Sequence, residues 1–309
     1  MSEKEFATGD PTPAGVRGGT VADGVWNGVK PVGDIRPELP AGGETVLITG
    51  ASSGIGAEFA CQLARDGRCK ALWLVARRAE AMTAVAEAVR REAEADGRAF
   101  PQCRVLALDL CKAEDLARLQ AALAAEKPAL GWLVNAAGFG KFGSWEAVGA
   151  DWAGRMIDLN VKAVVRITEM CLPYMAAGGR IVEIASTAAF CPLPGMNVYA
   201  ASKSFVLFYG RALRQELRMA GRGVSLTVLC PGPVRTAFWD IGNETYALKR
   251  LGRPDAFWMT EAGDVVRHTL RAACKGKAVV TYGFWNGWHR RLAKCLPWSW
   301  IMAFSRKLI

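Results

Sequence analysis

From Glu44 onward, short apolar and β-branched runs alternate with longer Ala-, Leu- and Arg-rich stretches in which apolar residues recur every three or four positions. Short runs bounded by turn formers read as strands, and the 3.6-residue period reads as amphipathic helix. Strands are expected at 44–49, 70–75, 103–108, 131–134, 180–185, 223–229 and 277–281, with helices at 54–67, 79–96, 112–126, 150–176, 197–220 and 261–274. Regular alternation of strand and helix defines βαβ units, so the expected fold is α/β: one domain built on a doubly wound parallel sheet of about seven strands.

Three segments fall outside this rhythm. Residues 1–43 are rich in Gly and Pro without a sustained apolar period and are expected to be a flexible leader draped over the core. Residues 233–260 carry no clear element, which marks a binding loop or lid between the sixth strand and the last long helix. Residues 283–309 form a basic, Trp-rich C-terminal segment that follows the catalytic unit at 44–282.

Composition narrows the class further. A chain that is 51% hydrophobic and 22% charged is globular, and its polar start and lack of a spanning-length apolar run point to a cytoplasmic enzyme. Its nine scattered cysteines include no Cys-x-x-Cys pair and read as buried free thiols, while His268 and His289 have no companions at ligand spacing, so no metal site is expected. The net charge of +10 is concentrated: residues 265–309 hold nine Lys/Arg and no Asp or Glu. The remainder is close to neutral, which argues against nucleic acid as a partner.

The run Thr45-Val46-Leu47-Ile48-Thr49 leads into Gly50-Ala51-Ser52-Ser53-Gly54-Ile55-Gly56 and then into a helical pattern. Glycines in a strand-to-helix turn allow close backbone approach, and the helix N-terminus faces an anion, which suits a dinucleotide pyrophosphate. The first five of these residues also fit the G-x-S-x-G elbow of α/β-hydrolases, so a serine nucleophile is a competing reading. The second strand ends in Ala76-Arg77-Arg78, with no carboxylate to bind a ribose 2′-hydroxyl and two guanidiniums to meet a 2′-phosphate, which favours NADP(H) over NAD(H). The bland alternative is a solvated pair at a helix start.

Tyr199 and Lys203 lie four apart on one helical face, and Ser186 ends a strand thirteen residues before the tyrosine. A neighbouring ammonium and a cationic nicotinamide both favour the phenolate, so this tyrosine is expected to exchange protons near neutrality. Asn160 stands inside a helical stretch, where asparagine competes with the backbone and is a poor choice for packing alone.

Taken in order, the stretch 49–56, Asn135-Ala136-Ala137-Gly138, Tyr199-x-x-x-Lys203 and Pro231-Gly232-Pro233-Val234-Arg235-Thr236 resemble the short-chain dehydrogenase/reductase family over about residues 44–282. That resemblance implies a Rossmann-type fold and a nicotinamide cofactor. It assigns Tyr199 to proton transfer, Lys203 to the nicotinamide ribose and the tyrosine pKa, Ser186 to substrate orientation and Asn160 to a water-linked proton relay. Arg77 becomes the main 2′-phosphate contact with Arg78 as adjunct. Asp109 and Leu110 would lie at the adenine, although Asp109 could equally cap the helix near Ala113.

By the same resemblance, Asn135, Ala136, Ala137, Gly138, Pro231, Gly232, Val234 and Thr236 line the cofactor. Ser186 to Leu217 is similar to the branch holding hydroxysteroid dehydrogenases and 3-oxoacyl reductases, which implies a ketone and secondary alcohol on an apolar substrate. A steroid or bile acid is favoured over a 3-oxoacyl thioester, with a non-catalytic NADP-sensing protein as the reading from a different class. Phe139, Phe142, Phe190, Leu193, Met196, Phe238, Trp239 and Trp258 are candidate lining residues. A homo-oligomer paired through the long helices is expected. The tryptophans of 284–309 are expected to pack against protein, with peripheral membrane contact as the alternative.

Overall fold

A computed structural model of the protein describes residues 39–239 and 259–305. Among the described residues, seven strands form one all-parallel sheet in the order β3-β2-β1-β4-β5-β6-β7. They are β1 (Thr45–Thr49), β2 (Ala71–Ala76), β3 (Gln102–Ala107), β4 (Leu130–Asn135), β5 (Met175–Ile184), β6 (Ser225–Leu229) and β7 (Val279–Val280). The order reverses between β1 and β4, and the carboxyl ends of strands at such a switch point are where open α/β sheets place ligands.

The strands are apolar on both sides because helices cover both faces. Val46 and Ile48 of β1, Leu72 and Leu74 of β2 and Val134 of β4 pack with α1 (Gly54–Ala64), α2 (Ala79–Ala95) and the later helix α7 (Ala262–Cys274). Their alternates Leu47, Trp73, Val75 and Leu133 pack with α3 (Ala113–Glu126), α5 (Val164–Cys171) and α6 (Asn197–Met219). Truncating a fully buried member such as Leu119 to Ala would cost about 2–5 kcal/mol.

Several boundaries move for tertiary reasons. Leu39 is already buried and donates its N–H to Asp66 Oδ2 at 2.6 Å, so part of the expected leader belongs to the packed body. Residues 1–38 lie outside the described residues. The helix expected at 150–176 opens earlier, as α4 (Trp145–Ile157), with the Ser144 side chain accepting from Ala147 N–H and a break at Gly149, whose φ is +70°. It then passes through a π-helical turn at Asp158–Ala163 and ends in α5, after which a 3₁₀ turn containing Pro173 leads into β5. Residues 175 and 176 therefore belong to a strand, not a helix.

The C-terminal segment forms two helices that the apolar period did not disclose, α8 (Phe284–Cys295) and α9 (Trp298–Ser305). Of the cysteines expected to be buried, Cys111 and Cys295 are exposed, and all nine are free thiols. No helix among the described residues is long and apolar enough to cross a membrane.

Candidate active site

The glycine turn joins β1 to α1 at the switch point, where φ is +67° at Gly50 and +56° at Gly54. A Cβ on Gly56 would collide with the Gly50 carbonyl, so that position admits only glycine for the helix to seat against the turn. Ser53 caps α1 without a side-chain hydrogen bond and no acid stands in the first turn. Ile55 follows at the start of the helix, and its neighbours' main-chain N–H groups are thus left for an external anion. Thr236 approaches from the loop after β6, its Cγ2 lying 3.0 Å from where a Gly54 Cβ would stand.

Arg78 rather than Arg77 reaches this turn. Its guanidinium lies 3.3 Å from Ser52 Oγ and 3.2 Å from Ser53 Oγ. Both arginines sit at the start of α2, where a cation opposes the helix dipole, so the position is electrostatically favourable only with an anion nearby. With Ser52 engaged by Arg78, and with His268 tilted against Tyr282 and His289 against Phe190, neither histidine supports the serine-nucleophile reading as its base. Asp109 does not cap α3, whose N-cap is Lys112. It accepts instead from Cys111 N–H at 3.1 Å in an Asx turn, while its own N–H donates to Asp115. Leu110 beside it is buried.

The proposed tetrad converges. Tyr199 and Lys203 are both buried on the first turns of α6, and Lys203 Nζ donates to the Ile184 carbonyl at 2.9 Å, 6.0 Å from the Tyr199 ring centre. Ser186 neighbours the Tyr199 phenol and pulls its pKa down, and the Ser186 Oγ accepts from Ala188 N–H at 3.1 Å. Asn160 lies in the π-helical turn: Nδ2 donates to Phe139 O at 2.9 Å and Ser202 Oγ at 3.1 Å, and Oδ1 accepts from Phe139 N–H at 3.1 Å. Gly138 separates these groups, since a Cβ there would stand 3.0 Å from Asn160 Oδ1 and 3.2 Å from Lys203 Nζ. Ala137 N–H donates to Thr49 Oγ1, which holds the turns after β1 and β4 together, and the Pro231 carbonyl accepts from Thr187 N–H.

Burial changes the expected electrostatics. The Tyr199 phenol is pushed up to about 12 by desolvation, against the smaller lowering by Ser186, and desolvation brings Lys203 down to about 8. Lys203 Nζ is engaged by the Ile184 carbonyl, and the chain alone leaves the phenol protonated near neutral pH, with the charge of a bound nicotinamide still to be added. Around it stand Phe142 at 5.4 Å and Phe238 at 5.8 Å between ring centres, with Trp239 behind them and Phe139, Leu193 and Met196 in the same cluster. Phe190 turns away toward His289. Trp258 lies outside the described residues, as do residues 240–258 generally. Trp239 Nε1 donates to the Val234 carbonyl, tying the loop to the site.

One buried acid escaped the reading of the sequence. Glu183 on β5 is paired across the sheet with Asn135 and accepts at Oε1 from Asn135 Nδ2 (3.0 Å) and Thr168 Oγ1 (2.8 Å), so the Asn135 amide serves the sheet interior. Its Oε2 has no partner, and burial raises the carboxyl to about 7 against the opposing pull of Asn135, Thr168 and Lys203. A carboxyl raised in the folded state stabilises most at acid pH, and that contribution, about 3 kcal/mol, is lost as pH rises through about 7. Glu183→Gln keeps the acceptor and cannot ionise. Thermal unfolding of both forms should show the variant gaining on the parent as pH rises from about 4.5 to about 7, with the difference constant above that; an offset that does not change with pH would refute an ionisable Glu183.

Residues 44–246 match the family model for short chain dehydrogenases. A glycine betaine reductase of Emericella nidulans is 32% identical over 76% of this chain, which spans only 18% of that relative. The 11-beta-hydroxysteroid dehydrogenase A of Sesamum indicum is 30% identical over 79% of this chain and 69% of its own length. A solved short-chain dehydrogenase from Sphingobium yanoikuyae, in complex with NADPH, superposes with a TM-score of 0.65 at 29% identity, covering 82% of this chain and 96% of that one. The chain belongs to the short-chain dehydrogenase/reductase family and is an oxidoreductase of that family. The uncapped α1 N-terminus, the glycine cradle and Lys203 are a donor set that fits the family's nicotinamide dinucleotide.

Proposed function

We propose that this protein is an NADP(H)-dependent oxidoreductase that interconverts a ketone and a secondary alcohol on a bulky apolar substrate, with a hydroxysteroid or bile acid as the favoured class. The observation that carries this reading is the buried Tyr199 side chain, next to Ser186 and enclosed by Phe142, Phe238 and Trp239. When bound, the nicotinamide supplies or accepts hydride at carbon. Ser186 orients the substrate oxygen and Tyr199 donates a proton to it on reduction. A phenol with a raised pKa holds that proton throughout the physiological range, so reduction is the direction in which the site starts correctly protonated. In oxidation the tyrosine must first give it up, which positive charge at the ring and at Lys203 assists. Lys203 also holds the ribose edge, and Asn160 fixes the Phe139 main chain beside the relay leading out of the site.

The preference for NADP(H) rests on Arg78 and Arg77 at the α2 dipole and on Ala76 in place of an acid. Because charged hydrogen bonds contribute about 1.5–3 kcal/mol, Arg78→Ala should weaken NADPH binding about ten- to a hundredfold, with a smaller loss for Arg77→Ala. Fluorescence titration with NADPH and NADH checks this; equal losses for both cofactors would place the 2′-phosphate contact elsewhere. Exposed Ile157, Phe205, Phe208 and Met219 on α4 and α6 supply an apolar surface suited to homo-oligomer pairing. The free thiols suit a reducing, cytoplasmic setting.

The test is NADP(H)-linked turnover against steroids, bile acids, 3-oxoacyl thioesters and simple ketones. Activity confined to thioesters would move the substrate to the second class. Cofactor binding with no turnover of any member would favour the sensing reading, against which the retained Tyr199 and Lys203 argue.

A further inference from the structure

Helix α8 is amphipathic in an inverted sense. Its polar face is turned inward: Asn286 lies flat against Gly232 and donates to the Tyr282 carbonyl, His289 Nε2 is 3.7 Å from Cys191 Sγ, and Arg290 donates to the Val279 carbonyl. Its apolar face is turned outward, with Phe284 70%, Trp285 69% and Trp288 44% exposed and Leu292 beside them. On α9, Trp298 and Trp300 are 59% and 68% exposed. Within this chain the tryptophans do not fold back over the cleft as one form of the expectation had it: the segment packs beside the catalytic loops with its polar side and leaves the tryptophans outward.

We propose that the outer face of α8 and α9 is a docking surface for an anionic lipid bilayer, on which the protein sits peripherally. Tryptophan and phenylalanine at this density favour the headgroup boundary, where a ring can be apolar on one side and wet on the other. Charge selects the partner: residues 265–309 carry no acid, and although Arg267 pairs with Asp264 and Arg290 turns inward, the exposed Arg291 stands on α8 among the aromatics. A bare second copy of this +10 chain would bring like charge to the same patch, whereas anionic headgroups neutralise it. Two helices of twelve and eight residues are too short to span, which fits them lying in the interface. Because α8 also borders the catalytic loop at Phe190 and Cys191, docking would hold the substrate end near the membrane.

The surface stands whether or not the turnover reading holds, so its test uses binding alone. The full chain is sedimented with vesicles of phosphatidylcholine, or of phosphatidylcholine mixed with phosphatidylglycerol, over a range of salt. The expected result is co-sedimentation with the anionic vesicles that salt weakens. Trp285→Ser with Trp288→Ser should reduce partitioning about tenfold or more, and Arg291→Glu should reduce it on anionic vesicles, with NADPH affinity unchanged as the check on folding. Equal sedimentation of parent and double variant, or none by the parent, overturns the proposal. A double variant that lost no vesicle binding but fell to a smaller oligomer by light scattering would overturn it in favour of a second copy.

Discussion

Tyr199→Phe is expected to lower the rate of ketone reduction by about 10³-fold while leaving NADPH affinity within about twofold, because the substitution removes the transferable proton and little volume. The ring would keep its contacts with Phe142 and Phe238, so folding should survive. Stopped-flow measurement of NADPH oxidation under single-turnover conditions, with cofactor affinity by fluorescence, separates the two effects. The pH dependence adds a sign. With the phenol raised to about 12, the oxidative rate should climb with pH across the alkaline range while reduction stays flat near neutrality. A variant within about tenfold of the parent would remove Tyr199 as the acid.

Lys203→Ala is expected to cost both binding and rate, together about 10²- to 10³-fold in kcat/KM, because one ammonium serves the ribose and the charge near the tyrosine. The side chain is buried beside Glu183, and its removal also leaves the Ile184 carbonyl without its donor. In the free protein burial lowers the lysine to about 8, so its charge is present below that value and lost above it. NADPH association should therefore weaken as pH rises through about 8. An unchanged NADPH affinity in the variant would contradict the ribose role. A loss confined to thermal stability would make the lysine structural only.

The parallel sheet was legible because strands buried on both faces leave continuous apolar runs, and the helices between them carry a clear period. Tyr199, Lys203 and Ser186 were legible for a related reason: their spacing depends on one helix and one strand end, which local sequence encodes. What local sequence does not encode is which long side chain crosses to another element. Arg77 and Arg78 are equivalent as letters, and only the start of α2 turns Arg78 toward Ser52 and Ser53. Glu183 drew no reading from the sequence, and its burial follows from neighbouring elements that cover both faces of β5. The one available signal was an acid inside an otherwise apolar run.

Asn160 shows the opposite case, since a residue ill-suited to a regular helix did mark an irregularity, the π-helical turn that carries it. Helix α8 was missed because its apolar stripe faces outward, so hydrophobic periodicity offered no core to anchor it. The upward pull on the Tyr199 phenol was not legible either, because desolvation depends on neighbours from separate segments, while the lowering expected from Lys203 and a bound nicotinamide concerns the loaded site.

The central claim, that hydride passes from a nicotinamide held at the glycine turn to a carbonyl carbon beside Tyr199, is tested most directly by isotope. NADPH deuterated at the transferring position of nicotinamide C4 is incubated with the protein and a bulky apolar ketone, and the product is weighed by mass spectrometry. The alcohol should be heavier by one deuterium at the carbinol carbon, and with Tyr199→Phe the same labelled alcohol should form about 10³-fold more slowly. Alcohol formed without deuterium, with either prochiral position of the cofactor labelled in turn, would contradict the account.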